Sequence, residues 1–419
     1  MTTQNRKTIN FFGSSEKVKR IFGILFLLTI ISSAAYAADD VLAAEEPEII
    51  LETGIKSNSN TEGKVEENIL KEEEPIQEQT LAERLKEAYN IEIEKTDVPY
   101  ALFTEVTTKK FENGPLESFH PWVAVQTHAR MDMPENSDND FFYKVGLINI
   151  NLDGKFKGGK EEFRLMLDPT PQSQRPFMQN FFQDAYVSTS RIPHHKIFFG
   201  NTRPAVGVEG AQSPYTLPFI SRSQISRTFG TVRKFGVRVV GNYDYVDYDL
   251  GALSSGTYFS SFLPGTEFNG WVNFKPLAKT KGKYGKLVTG GGIAAGRRHS
   301  DFFVAGAYAG YEYKRFSTCF EWAQADGYNG AAGFSTNKAS GFYTTLAYKI
   351  TPKLQILARY DELDPNRDIS NNKRREYTAG LNYFIKGQAL RLILNYVFCQ
   401  NNNHQPNSHR ILLGTQVLL

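Results

Sequence analysis

Between residues 119 and 419 the chain is a succession of sixteen segments in which apolar and polar residues alternate with period two, each followed by a turn. Alternation of this kind marks a strand with two chemically different faces. The segments run over 119–131, 141–154, 160–168, 181–191, 194–200, 233–241, 243–253, 268–277, 285–297, 302–313, 315–325, 339–350, 353–361, 374–385, 389–399 and 408–419. The joints between them alternate as well. Short ones, such as Ile192-Pro193, Gly241-Asn242, Lys314, Thr351-Pro352 and Lys386-Gly387-Gln388, are interleaved with long ones at 132–140, 169–180, 201–232, 254–267, 326–338, 362–373 and 400–407. One joint, 278–285, is long where a short one is due. An even number of antiparallel strands, with short turns at one end and long loops at the other, predicts an all-β transmembrane barrel.

The direction of the alternation says which face is which. In 389–399, Leu390, Leu392, Leu394, Tyr396 and Phe398 share one face, with Arg391 and Asn395 on the other. In the last segment Ile411, Leu413, Val417 and Leu419 oppose Arg410 and Gln416. So many strands enclose a lumen too wide for wall side chains to fill, so the apolar face points outward into lipid. Tyr377 and Tyr383, bracketing Ala379 and Leu381, then fall where an aromatic girdle belongs.

The N-terminal part has another character. Lys17, Lys19 and Arg20 precede an apolar run over 21–31, and Ala35-Tyr36-Ala37 supplies a small-x-small cleavage site. Residues 1–37 therefore read as a secretory signal peptide, the run being shorter than the ~20 residues of a membrane-spanning helix. Residues 38–97 carry 18 acidic and 6 basic side chains and read as an extended acidic linker. A short helix is predicted over 80–91, where Leu81, Leu85 and Ala88 share a face. The barrel domain, 98–419, is left with a charge of about +11 within a chain total of +3, a bias toward anionic solutes. Cys319 and Cys399 fall four strands apart, ~19 Å at the spacing of paired strands. That is beyond disulfide reach, so both are expected to be unpaired.

The connection within 199–234 breaks the pattern. Alternation lapses, prolines enter, and Glu209 is the only acid among Arg203, Arg222, Arg227, Arg233 and Lys234. A connection this long inside a compact domain is a functional loop or a misread element. Its apolar residues (Val206, Val208, Tyr215, Leu217, Phe219, Ile220) predict a third loop, about 201–232, folded against the inner wall. Those five cations are then candidates for an anion-binding constriction; a solvated outer loop binding lipopolysaccharide phosphates is the competing reading. Strand parity turns Arg130, Arg164, Arg238, Arg359, Arg391 and Arg410 toward the pore, along with Glu162, Glu321, Asp361 and Glu376. Two readings stay open for them. Guanidinium groups hold phosphate and carboxylate by forked hydrogen bonds and line anion pores; alternatively the inward acids neutralise them in a wall of ion pairs.

Catalysis and metal binding find no support. No two of His120, His128, His194, His195, His299, His404 and His409 have the spacing of a zinc helix or finger. His194-His195 falls in a predicted short turn and reads as solvated, and nothing marks Ser317 as a nucleophile for His128. Gly290-Gly291-Gly292 lacks a following helix and lysine, so it reads as a place where a strand bends. The chain is read as no enzyme, with no cofactor, no metal site and no nucleic-acid partner.

Several stretches, in order, are similar to the phosphate-selective porin O/P family of outer membranes. They are Asp184-Ala185-Tyr186-Val187, the stretch 200–209 with its Arg203-Pro204 and Val208-Glu209, Ile220-Ser221-Arg222, and 233–241. The similarity continues in Arg359-Tyr360-Asp361-Glu362-Leu363-Asp364 and Tyr377-Thr378-Ala379-Gly380-Leu381-Asn382-Tyr383. The resemblance implies a trimeric sixteen-stranded outer-membrane barrel whose third loop folds inward and whose arginines and lysines guide anions. Where the family often has an acid before the arginine, Ser221 stands here, and the terminal residue read by the barrel-assembly machinery is Leu419 rather than an aromatic. The expected function is passive diffusion of small anions, phosphate-like, across the outer membrane, with the N-terminal segment in the periplasm. A general diffusion porin is one alternative, and a structural or adhesive barrel plugged by 38–97 is another.

Overall fold

The computed structural model describes residues 108–170, 181–256, 265–280, 282–402 and 405–419. The expected signal peptide, acidic linker and helix over 80–91 lie outside the described residues. A two-residue ribbon, β1 (Lys109–Lys110), pairs with the start of the first long strand. Sixteen strands follow among the described residues: β2 (Leu116–Pro134), β3 (Asp140–Phe156), β4 (Glu161–Leu167), β5 (Phe182–Thr189), β6 (His195–Thr202), β7 (Lys234–Asn242), β8 (Val246–Ser254), β9 (Thr266–Phe274), β10 (Lys286–Arg297), β11 (Asp301–Tyr313), β12 (Phe316–Gly330), β13 (Gly333–Thr351), β14 (Leu354–Asp364), β15 (Arg374–Lys386), β16 (Leu390–Asn401) and β17 (Ser408–Leu418).

Each strand pairs antiparallel with the next, and β17 returns to β2 in register from Ser408↔Pro134 to Leu418↔Ala124, so the sheet closes on itself. Closure leaves no row of unpaired backbone groups, the condition for a sheet surrounded by hydrocarbon. The faces are as the sequence predicts. On β15, Tyr377, Leu381 and Tyr383 are exposed while Glu376, Thr378 and Asn382 are buried; on β16, Leu392, Leu394 and Tyr396 are exposed while Arg391 and Asn395 are buried. Phe320, Phe342, Tyr360, Tyr377, Phe398 and His409 form an unbroken row of ring contacts across β12–β17, with centroids 5.0–6.0 Å apart.

The wall is uneven in height. Strands β4 to β9 are only 7 to 9 residues long, whereas β11 to β17 have 11 to 19. The long loop expected over 326–338 is instead a continuation of β12 and β13 as a paired ribbon, turning at Gly330↔Gly333 after a bulge between Asp326 and Tyr328. Contacts inside the barrel hold it in that form. The Tyr328 ring meets Phe229 edge-on at 5.3 Å, and Ala331 N donates to Gly230 O at 3.0 Å. Gly330 permits the approach, since a Cβ there would lie 2.2 Å from Thr228 O. The Gly290-Gly291-Gly292 run has a packing reason rather than a bend: a Cβ on Gly292 would stand 2.5 Å from the Trp271 ring, which occupies that place. Cys319 and Cys399, on β12 and β16, are both free thiols.

The outward face is testable at Leu413, which is 54% exposed on β17. Leu413→Arg is expected to destabilise the barrel by about 2–4 kcal/mol in bilayers, the penalty for a midplane cation on a lipid-facing strand. Urea unfolding from liposomes measures it, and an unchanged midpoint would mean that this face does not meet hydrocarbon.

Candidate functional site

The connection between β6 and β7 folds inside the barrel and carries its own short elements: α1 (Val208–Ala211), a 3-10 turn (Pro214–Thr216) and α2 (Gln224–Phe229). Local chemistry accounts for them. Ser213 Oγ accepts from Tyr215 N with Pro214 at the first helical position, Ser223 Oγ accepts from Ser226 N, and Gly230 ends α2.

Three kinds of wall residue hold this loop. Carboxamides grip its backbone between residues 214 and 220: Gln126 Nε2 donates to Pro214 O, Gln416 Nε2 to Tyr215 O and Asn382 Nδ2 to Pro218 O, each at 3.0 Å. Asn395 Oδ1 accepts from Ile220 N at 2.9 Å, and the Tyr215 hydroxyl donates to Asn149 Oδ1 at 2.7 Å. Carboxylates take the backbone N–H groups at the two helix starts: Val208 N donates to Glu321 at 2.9 Å, Gln224 N to Asp361 at 2.7 Å, and Ser223 N to the loop's own Glu209. Apolar contacts complete the attachment. Ile225 and Phe229 enter a cluster with Ala323, Tyr343 and Leu363; Phe219 packs on Ala347 and Leu357; Ala205 packs on Trp271 and Tyr308. The loop is thus fastened to β2, β3, β9 and the tall side of the wall, and each backbone group named in these contacts has a side-chain partner.

Toward β4 and β5 the loop presents charge instead. Arg203 and Arg222 converge on one acceptor, the Gln212 carbonyl, at 3.0 and 2.7 Å. Among the described residues, Arg203 Nε and Arg222 Nη1 have no hydrogen-bond partner. Arg233 bridges to Asp184 at 2.6 Å, and Arg203 and Arg164 face the same carboxylate. Burial, and then the charges of Arg233 and Arg222, draw the Arg203 pKa well below its ordinary value. Burial also pulls Arg222 down to about 10, against the opposing pull of Glu209, which leaves it cationic at neutral pH. Cations held at such a disadvantage gain most from an arriving anion. Arg164 is itself forked onto Asp153 at 2.6 and 2.9 Å, with Trp122 Nε1 donating to that carboxylate at 2.9 Å.

The other residues singled out in the sequence lie elsewhere. Arg227 bonds Glu376 at 2.9 Å, and Arg410 reaches the other oxygen of that carboxylate at 2.7 Å. Both line a cavity of about 810 Å³ at the long-loop end, along with Arg130, Arg374 and Arg375. Lys234 is buried, ion-paired to Glu267 and donating to Asn329 O at 3.0 Å. Arg130 pairs with Asp132 at 2.6 Å, and Arg238 Nε with Asp249 at 2.7 Å. Arg359 lies over the Phe219 ring at 4.7 Å and reaches Glu209 at 3.4 Å, and Arg391 donates to Gln416 at 3.2 Å. Glu162 pairs with Lys196 and Lys155. Sequence parity pointed Arg130, Arg164, Arg238, Arg359, Arg391, Arg410 and Glu162 inward but carried no sign of the carboxamide set, since Asn and Gln on an inward face look like any water-lined wall. His194 and His195 are not merely solvated: His194 stacks on Tyr243 at 4.9 Å, and His195 Nε2 lies 2.6 Å from the Tyr248 hydroxyl.

A closed sixteen-stranded barrel with an apolar outer face and a lumen narrowed by an inward loop defines an outer-membrane porin, a channel rather than an enzyme. Residues 276–418 match the family model described as phosphate-selective porin O and P. The resemblance read from the sequence thus holds over the C-terminal third of the chain. No curated protein is similar enough in sequence to match. Among solved structures, the chain is similar to the anion-selective porin from Comamonas acidovorans, at 12% identity and TM-score 0.54 over 72% of this chain and 99% of that one. It is also similar to the outer-membrane channel DcaP of Acinetobacter baumannii (13%, TM-score 0.52, 74% and 99%) and to OprB of Pseudomonas putida (11%, TM-score 0.54, 72% and 94%). At such identities the likeness is one of fold.

The attachment of the loop makes a prediction of its own. Asn395→Leu removes the acceptor for Ile220 N and leaves that group buried and unpaired, a cost of about 1–3 kcal/mol. Hydrogen exchange over 214–222 is expected to accelerate, and unchanged protection would show that the carboxamide contact does not hold the loop.

Proposed function

We propose that this porin passes small oxyanions, phosphate-like in size and charge, by diffusion past Arg203, Arg222 and Arg233. The observation that carries the reading is a pair of buried guanidinium nitrogens, Arg203 Nε and Arg222 Nη1, without partners among the described residues, beside a third arginine that is bridged to Asp184. An excess of cation at the narrowest part of a low-dielectric passage attracts anions and repels cations. The porin of Comamonas acidovorans, similar in fold, is anion-selective, in keeping with this reading. Arg227, Arg130 and Arg410 belong to an outer approach to this eyelet, and Arg164 to its edge. Arg238, Arg359, Arg391 and Lys234 serve as wall. That so many inward cations are matched by carboxylates favours a second reading, a general porin of weak selectivity.

The proposal extends to placement and assembly. Both barrel termini are at the short-turn end, which we assign to the periplasm, with residues 1–37 as signal peptide and 38–97 as a periplasmic linker. The barrel-assembly machinery is the expected inserting partner. Strands of 7 or 8 residues, such as β4, β5 and β6, fall short of the ~9–11 that a bilayer requires. They carry exposed Val187, Phe199 and, on β7, Val237 outward. That low apolar wall suits contact with further copies of the chain in a trimer better than contact with lipid.

Planar-bilayer conductance in a salt gradient, with phosphate titrated against chloride, tests the eyelet. An anion-signed reversal potential and block of chloride current by phosphate are expected. The double substitution R203A/R222A is expected to weaken the block roughly tenfold, the value of a charge-assisted contact. R130A, which breaks a half-exposed ion pair, is expected to change it less than about twofold. Near-zero selectivity without block would leave the general porin.

A further inference from the structure

The short-turn end carries a chemistry that the lumen does not use. Lys279 lies 5.1 Å from the centre of the Tyr245 ring, Lys283 5.2 Å from Tyr284 and Lys314 5.0 Å from Tyr313. These pairs occupy the turns after β7, β9 and β11, and the three rings are exposed by 42%, 57% and 36%. Arg315 and Lys353 carry the cationic rim on to the turns after β11 and β13. Among the described residues of these four turns Asp244 is the one carboxylate, 3.7 Å from Lys279.

Next to the rim begins the apolar outer face. Tyr313, Phe316, Tyr348 and Ile356 follow one another in register across β11–β14, all exposed and all outward. An ammonium held over an aromatic face at the edge of an apolar band stands at headgroup height, where its stem lies along hydrocarbon and its charge reaches phosphate. Repetition on three turns, with one acid among them, gives that level a field attractive to anionic lipid.

We propose that this rim binds the headgroups of anionic phospholipids in the leaflet at the short-turn end, their phosphates held by Lys279, Lys283, Lys314 and Arg315. The proposal rests on the outer-membrane reading and is independent of which solute the lumen passes.

The test is native mass spectrometry of the full-length protein after exposure to equal amounts of phosphatidylglycerol and phosphatidylcholine, with conductance recorded from the same preparations. Preferential retention of phosphatidylglycerol, roughly fivefold or more and diminishing as salt is raised, is expected. The triple substitution K279Q/K283Q/K314Q is expected to abolish the preference while conductance and the heat-modifiable mobility of the folded barrel persist. Equal retention of the two lipids by the unsubstituted protein, or an undiminished preference in the triple variant, would overturn the proposal. Should the variant not fold, the salt titration of the unsubstituted protein decides, because salt-independent retention excludes a charge-based site. Lipid preference without conductance would sink the porin reading and leave this one standing.

Discussion

A ring of sixteen strands encloses more space than its own inward side chains can fill. Whatever narrows such a lumen has to be supplied by a connection between strands, and that connection must bring its backbone polar groups into partly dry surroundings. The β6–β7 loop meets this demand because the wall opposite it has the matching groups. Carboxamides of Gln126, Asn382, Asn395 and Gln416 take its carbonyls and an N–H, and Glu321 and Asp361 take the N–H groups at its helix starts. Glycine at position 330 lets the β12–β13 ribbon touch α2. The paired form of that ribbon follows from the loop, since its inner contacts are with Phe229 and Gly230.

Charge is distributed by the same logic. An unpaired ion on an enclosed wall is expensive, so Arg164, Arg238, Arg410 and Lys234 stand beside carboxylates. The loop is where the matching lapses: it has one acid, Glu209, and that acid is engaged by Ser223 N and Arg359. Arg203 and Arg222 are consequently left with a backbone carbonyl as their acceptor. Under the proposed function, the anion track and the ion-paired wall apply to different parts of the lumen: the wall is neutralised by its carboxylates, and the cations of the loop edge are the proposed track.

Outside, the wall has two characters. The tall strands β12–β17 carry the row of rings from Phe320 to His409, the arrangement of side chains that anchor at a membrane interface. The low strands β4–β7 offer aliphatic and phenyl groups such as Val187 and Phe199. Strand length thus divides the circumference into parts suited to different neighbours.

The number of strands, their faces and the outward direction of the apolar side were legible in the sequence because period two is a local property: each residue's face depends only on its position within its own strand. The expected inward positions of Arg359, Asp361, Glu376 and Arg391 hold for that reason, and the two cysteines are separate because their strands are four apart. Local pattern failed where a partner distant in the chain decides. Residues 326–338 looked like a loop, with their Gly and Asn, until Tyr328 met a ring a hundred residues earlier. Lys234 resembled its neighbour Arg233, yet one is buried against Glu267 and the other bridges Asp184 near the loop arginines. Alternation alone determined which way each side chain points. Only closure of the ring, by bringing together residues up to hundreds of positions apart, decided which charge each one meets there.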